Sequence, residues 1–60
     1  MTIERVKTAA ALRGIYFNGR KEFINSMIGY GYAAFAPYGG IIQADTLTGF
    51  YNLVMKYPKE

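Results

Sequence analysis

The chain has 60 residues, a net charge of +3, and about half its residues are hydrophobic, including six Tyr and four Phe but no Cys and no His. That length allows a single small domain over residues 1–60, and the composition rules out both a disulfide framework and a Cys/His zinc site. A chain this short buries only about 60% of its unfolded surface, and small proteins compensate with disulfides, metals or oligomerisation. With disulfides and Cys/His zinc closed, self-association is the expected route.

The first element is a helix over residues 3–13. Thr2 supplies a cap, Glu4 suits the positive end of the helix dipole, and Ala9, Ala10 and Ala11 are strong helix formers. Gly14 is placed to stop it at the C′ position. Ile15-Tyr16-Phe17 then runs into Asn18-Gly19, which is either a hairpin turn or the cap of a second helix. Phe23, Ile24, Met27 and Ile28 share one arc, with Lys21, Glu22, Asn25 and Ser26 opposite. This spacing predicts a helix over residues 20–28, ended by Gly29.

Residues 30–36 alternate with a period of two, as a strand does. Pro37-Tyr38-Gly39-Gly40 reads as a turn, and Ile41-Ile42-Gln43 as a short return strand. The pair makes a hairpin that needs something to pack on.

The last element, DTLTGFYNLVMKY at residues 45–57, is the best-formed helix. Asp45 is the expected cap, and Pro58 terminates the run. Leu47, Phe50, Tyr51 and Val54 form its central stripe, widened by Leu53 and Tyr57 on one flank and Met55 on the other. Thr48, Gly49, Asn52 and Lys56 are left for water. This apolar arc exceeds the ordinary stripe of about 100°. Such a helix needs cover on two sides, expected from its own hairpin and from a second copy. Gly49 costs helix propensity on the polar strip, so it is either a tolerated defect or a point of close backbone approach.

Catalytic chemistry is sparse. The commonest general base and the thiol nucleophile are missing, and the acids are only Glu4, Glu22, Asp45 and Glu60. Gly29-Tyr30-Gly31 starts a G-x-G pattern that is not completed. No enzyme activity and no cofactor are expected. The basic residues Arg5, Lys7, Arg13, Arg20 and Lys21 lie early in the chain, near Tyr16 and Phe17. Cations beside aromatics suit single-stranded nucleic acid, but Arg5, Lys7 and Arg13 point to different sides of the first helix. A secreted cationic, bacteriocin-like peptide is a third class, disfavoured by the mixed helix and hairpin pattern.

The start of the chain, MTIERVKTAAALR, has no apolar run and is not read as a secretory signal. Phe23 to Ala44 is uncharged and long enough to span a bilayer. Its Gly, Pro, Asn, Ser and Gln content fits a globular segment better. A cytoplasmic location, the host cytoplasm for a phage product, and no membrane partner are expected.

The sequence therefore predicts an α+β domain, helix–helix–hairpin–helix, forming a symmetric homodimer. The expected interface is the C-terminal helix at Leu47, Phe50, Tyr51, Leu53, Val54 and Tyr57, with the edge of the hairpin as a further place for pairing. Tyr30, Tyr32, Phe35, Tyr38, Arg20 and Lys21 are the candidates for meeting a partner. The expected function is that of a non-enzymatic, self-associating accessory protein that binds or inhibits another protein, of the kind phages and mobile elements use against host defences. A small DNA- or RNA-binding regulator is the alternative.

Overall fold

The computed structural model describes residues 1–59 and consists of a three-stranded antiparallel sheet of order β1-β2-β3, one helix packed on one face of it and a second helix packed on the first. The elements are α1 (Ile3–Ala11), β1 (Glu22–Asn25), β2 (Gly29–Phe35), β3 (Ile41–Ala44) and α2 (Leu47–Val54). The architecture is thus the expected small α+β domain.

Helix α1 starts as its sequence directs, with Thr2 Oγ1 accepting the Arg5 amide at 3.2 Å. It ends at Gly14, whose φ of 70° a residue with a Cβ adopts only at a cost. The Gly14 N–H donates to Ala11 O at 3.1 Å and the Ile15 N–H to Ala10 O at 2.9 Å. These are the two bonds of a Schellman motif, and they turn Ile15 into the core.

The expected helix over 20–28 is replaced by strand and turn. Tyr16 forms an antiparallel bridge with Phe35, and farther along β2 Glu22 pairs with Gly31 and Phe23 with Tyr30. Residues 16–25 therefore follow one edge of β2, interrupted between the bridge and β1. At the interruption Asn18 Oδ1 accepts the Arg20 N–H at 2.9 Å, and the Asn18 amide donates to Glu22 Oε1 at 3.1 Å. Asn18-Gly19 is neither a hairpin turn nor a helix cap.

Local chemistry explains the loss of the helix. Asn25 Oδ1 accepts the N–H groups of Met27 and Ile28 at 2.9 and 2.8 Å, a side-chain turn that competes directly with helical bonding. A nine-residue helix has little cooperative support of its own. As a strand, the same segment supplies hydrogen-bond partners to the first half of β2.

The β2–β3 hairpin forms as its alternation and turn residues direct. Pro37 and Tyr38 hold the corners, the Gly39 N–H donates to Ala36 O at 3.3 Å, and the Ala36 N–H donates to Gly40 O at 2.8 Å. Gly39 has φ 92°, the left-handed residue that commonly follows such a turn.

The expected helix over residues 45–57 is shorter in the structure: α2 covers Leu47–Val54, its cap lies one residue later than expected, and residues 55–57 leave it in a turn. Thr46, not Asp45, is the cap, and its hydroxyl accepts the Gly49 N–H at 3.0 Å. Ala44 is still paired with Tyr32, so Asp45 is needed to turn the corner out of the sheet. The question raised by Gly49 is answered here too. A Cβ at that position would lie 3.0 Å from Thr46 Oγ1, so the close approach is the cap itself.

Val6 and Ala10 of α1, Phe50 and Val54 of α2, Ala34 and Ile42 of the sheet, and Ile15 and Phe17 form one core. Phe17 and Phe50 pack with ring centroids 4.4 Å apart. Helix α2 lies between α1 and the β2–β3 part of the sheet. Its wide apolar arc thus obtains its second side of cover from α1, where the sequence suggested a second copy. Arg13 secures this arrangement. Its guanidinium is buried, with Nε donating to Tyr57 O at 3.1 Å and Nη1 to Ala9 O at 2.9 Å. It thereby binds carbonyls at the C-terminal ends of both helices, where a cation is favoured.

Candidate binding surface

Strand pairing determines which side chains share the sheet's outer face. In the β2–β3 ladder Ala34 pairs with Ile42, and both are buried beneath the helices. The neighbouring pair, Phe35 with Ile41, points the other way, because successive residues of a strand face opposite sides. Tyr16 bridges Phe35 from the opposite edge. Tyr16, Phe35 and Ile41 consequently form a row across three chain segments on the face that neither helix covers. They are 76%, 69% and 59% exposed. Together with Ala33, Gln43, Asn18 and Glu22 they border a shallow hollow. A second hollow adjoins it at Tyr16, bordered by Lys7 and Arg20 as well as Asn18 and Glu22.

The expected partner-binding residues do not form one surface. Phe35 is the middle member of the row, at the end of β2, and Arg20 borders the hollow that adjoins Tyr16. Tyr30 stands away from this row, exposed and edge-to-face with Phe23 at 5.6 Å. Tyr38 is at the exposed tip of the β2–β3 turn. Tyr32 belongs with the core, half-buried between Phe17 and Phe50. Lys21 is exposed in the segment that precedes β1. The sequence reading missed Tyr16 and Ile41. The signal was the alternation of Ile15, Tyr16 and Phe17, which puts Tyr16 opposite two buried neighbours.

The expected interface residues also divide. Phe50 and Val54 are fully buried in their own chain, so they are unable to meet a second copy. Leu47, Tyr51, Leu53 and Tyr57 are half-buried against the core. Leu53 and Tyr57 line a groove between α2 and the outer edge of β3. Tyr51 lines a separate hollow at the seam with α1, together with Leu12 and Met55.

Thr2, Arg13, Asn18, Glu22, Asn25 and Thr46 use their polar side chains in structural hydrogen bonds. Arg13 is set apart from the other basic residues because it is buried and directs two of its N–H donors to carbonyls, and Glu22 accepts from Asn18. Among the described residues, no three acidic, Cys or His side chains converge on one point, and no helix is long and apolar enough to cross a membrane. No protein-family model matches the chain, and neither does any curated protein or solved structure.

Proposed function

We propose that this is a non-enzymatic binding protein that associates with a second copy of itself and holds another protein on the open face of its sheet. The supporting observation is the row of Tyr16, Phe35 and Ile41. These three large apolar side chains are spent on neither the core nor a turn, and they lie contiguous on one face. Exposed apolar residues scattered singly need no explanation, whereas a contiguous patch marks an interaction surface. Tyr and Phe are also favoured at the centres of interfaces. Small size and sparse chemistry suit an inhibitor or anti-defence accessory of a phage or mobile element, acting in the host cytoplasm.

The test compares the wild-type chain with Tyr16→Ala/Phe35→Ala. Both side chains are exposed, so the double variant should keep its far-UV circular dichroism. It should lose the protein captured by immobilised wild type from host lysate. Equal capture by the folded double variant would refute the reading.

A second reading has one observation in its favour, the position of Lys7 and Arg20 around the hollow that Tyr16 shares with the open face. Bases could stack on Tyr16 and Phe35 while these cations met phosphates, and stacking contributes roughly 1–3 kcal/mol per base. Fluorescence anisotropy with a labelled single-stranded oligonucleotide decides it. Binding that weakens steeply with salt and is lost on Lys7→Ala/Arg20→Ala favours nucleic acid. No binding at low salt eliminates it.

A further inference from the structure

We infer that the outer edge of β3 pairs with the same edge of a second copy, joining two sheets into one continuous sheet; this rests on the self-association proposed above. Backbone direction is the first argument. The Ala36 N–H bonds Gly40 O, and bonding alternates along an antiparallel pair, so Ile42 and Ala44 face β2. Ile41 and Gln43 then present their N–H and C=O groups along the free edge. Edge strands are usually protected by charge, Pro or a bulge. Ile41-Ile42-Gln43-Ala44 has neither charge nor Pro, and its register with β2 runs without a break.

The second argument is reciprocity. A two-fold axis at Ile42 sets Ile41 opposite the partner's Gln43, with both residues aimed at the joint. That pairing forms about four backbone hydrogen bonds. The groove beside the edge, lined by Ile28, Ile42, Leu53 and Tyr57, meets its own copy across the axis. Each molecule thus supplies the cover that the other's half-buried Leu53 and Tyr57 lack.

Charge selects a second copy over a foreign strand. Lys56 lines the same groove. α2 starts beside Ala44 and packs along β3, and the Tyr57 hydroxyl reaches to 3.8 Å from where a Gly40 Cβ would sit, so the far end of α2, which Lys56 follows, lies towards Gly40. Asp45 is exposed at the opposite end, just after Ala44. Antiparallel pairing brings Lys56 of each copy towards the partner's Asp45, so the joint carries two complementary charge pairs. It also puts the open faces of both copies on one side, doubling the row that Tyr16, Phe35 and Ile41 make.

Sedimentation velocity on the intact chain tests this. Dimer is expected at micromolar concentration. Gln43→Pro removes an outward-facing N–H from each copy without touching the core. It should raise the dissociation constant about tenfold or more while leaving circular dichroism unchanged. Lys56→Glu and Asp45→Lys should each weaken the dimer, and the two together should restore it, an outcome that loss of folding does not imitate. A dimer indifferent to Gln43→Pro and to both charge reversals overturns the edge inference and leaves self-association standing. A monomer at every concentration overturns both.

Discussion

At Gly31 the absence of a side chain is enforced by another stretch of backbone. A Cβ built there would sit 2.2 Å from the Ala44 carbonyl oxygen and 3.0 Å from Asp45 Cα. Ordinary contact between carbon and oxygen begins above 3 Å, so Gly31→Ala forces the chain at Ala44 to move by about 1 Å. Ala44 is the last residue of β3 paired with β2, and Thr46 caps α2 two residues later. The displacement therefore loosens either the end of the ladder or the start of the helix. Overpacking of this kind costs about 1–3 kcal/mol. The entropy benefit of replacing Gly in the unfolded chain, about 0.4–1 kcal/mol, offsets only part of it. For a domain of this size each kcal/mol is worth roughly 4–8 °C in Tm. Gly40→Ala is the internal control. Its Cβ would meet only Ala36 Cβ and the Tyr57 hydroxyl, both at 3.8 Å, so the change should be neutral or stabilising. Urea unfolding followed by tyrosine fluorescence and circular dichroism measures both. If Gly31→Ala proves as stable as Gly40→Ala, the close crossing of Ala44 over β2 is wrong.

Five further substitutions probe other parts of the fold. Thr46→Ala should destabilise by about 0.5–2 kcal/mol and Asp45→Ala by less, since only Thr46 bonds the Gly49 amide; the reverse order in urea melts would restore Asp45 as the cap. Phe50→Ala, at a fully buried position against Phe17, should cost about 3–5 kcal/mol, while Asn52→Ala on the exposed strip should change stability little. Arg13→Met keeps the apolar stem but strands the Ala9 and Tyr57 carbonyls. It should cost about 1.5–3 kcal/mol by the same melts, and an unchanged midpoint would mean water replaces the guanidinium without penalty.

Local signals in the sequence were sufficient wherever one residue's chemistry decided the backbone. Thr2 and Gly14 delimited the first helix, Pro37 and Gly39 made the hairpin turn, and alternation identified β2. Legibility failed where two local chemistries competed. Phe23, Ile24, Met27 and Ile28 have helical spacing, yet the Asn25 side chain binds the amides that a helix would use, and pairing with β2 rewards the extended form. The wide apolar face of α2 was read correctly, but its second cover is α1. A wheel drawn for one helix reports how much cover is needed, not which element provides it. The open face was partly legible through Phe35. Tyr16 and Ile41 join it only because residues distant in sequence are brought beside β2, a consequence of topology that periodicity does not carry.

The distribution of aromatic residues argues for binding more strongly than their number does. Phe17, Tyr32 and Phe50 satisfy the core, and α2 covers the inner face of β2 and β3. The chain nevertheless keeps Tyr16, Phe35 and Ile41 in water, at positions where nothing in its own fold covers them. Each position is on a solvent-facing side of the sheet, where polar residues are ordinarily found and carry no folding penalty. Apolar groups there gain cross-strand contact with one another, about 0.2–1 kcal/mol per pair, and keep most of their surface in water. The same reasoning applies to the uncharged edge of β3, where one Lys would be enough to discourage pairing. The proposed association would satisfy the edge and set two open faces side by side, so the proposed partner surface and the proposed joint between copies would belong to one assembly.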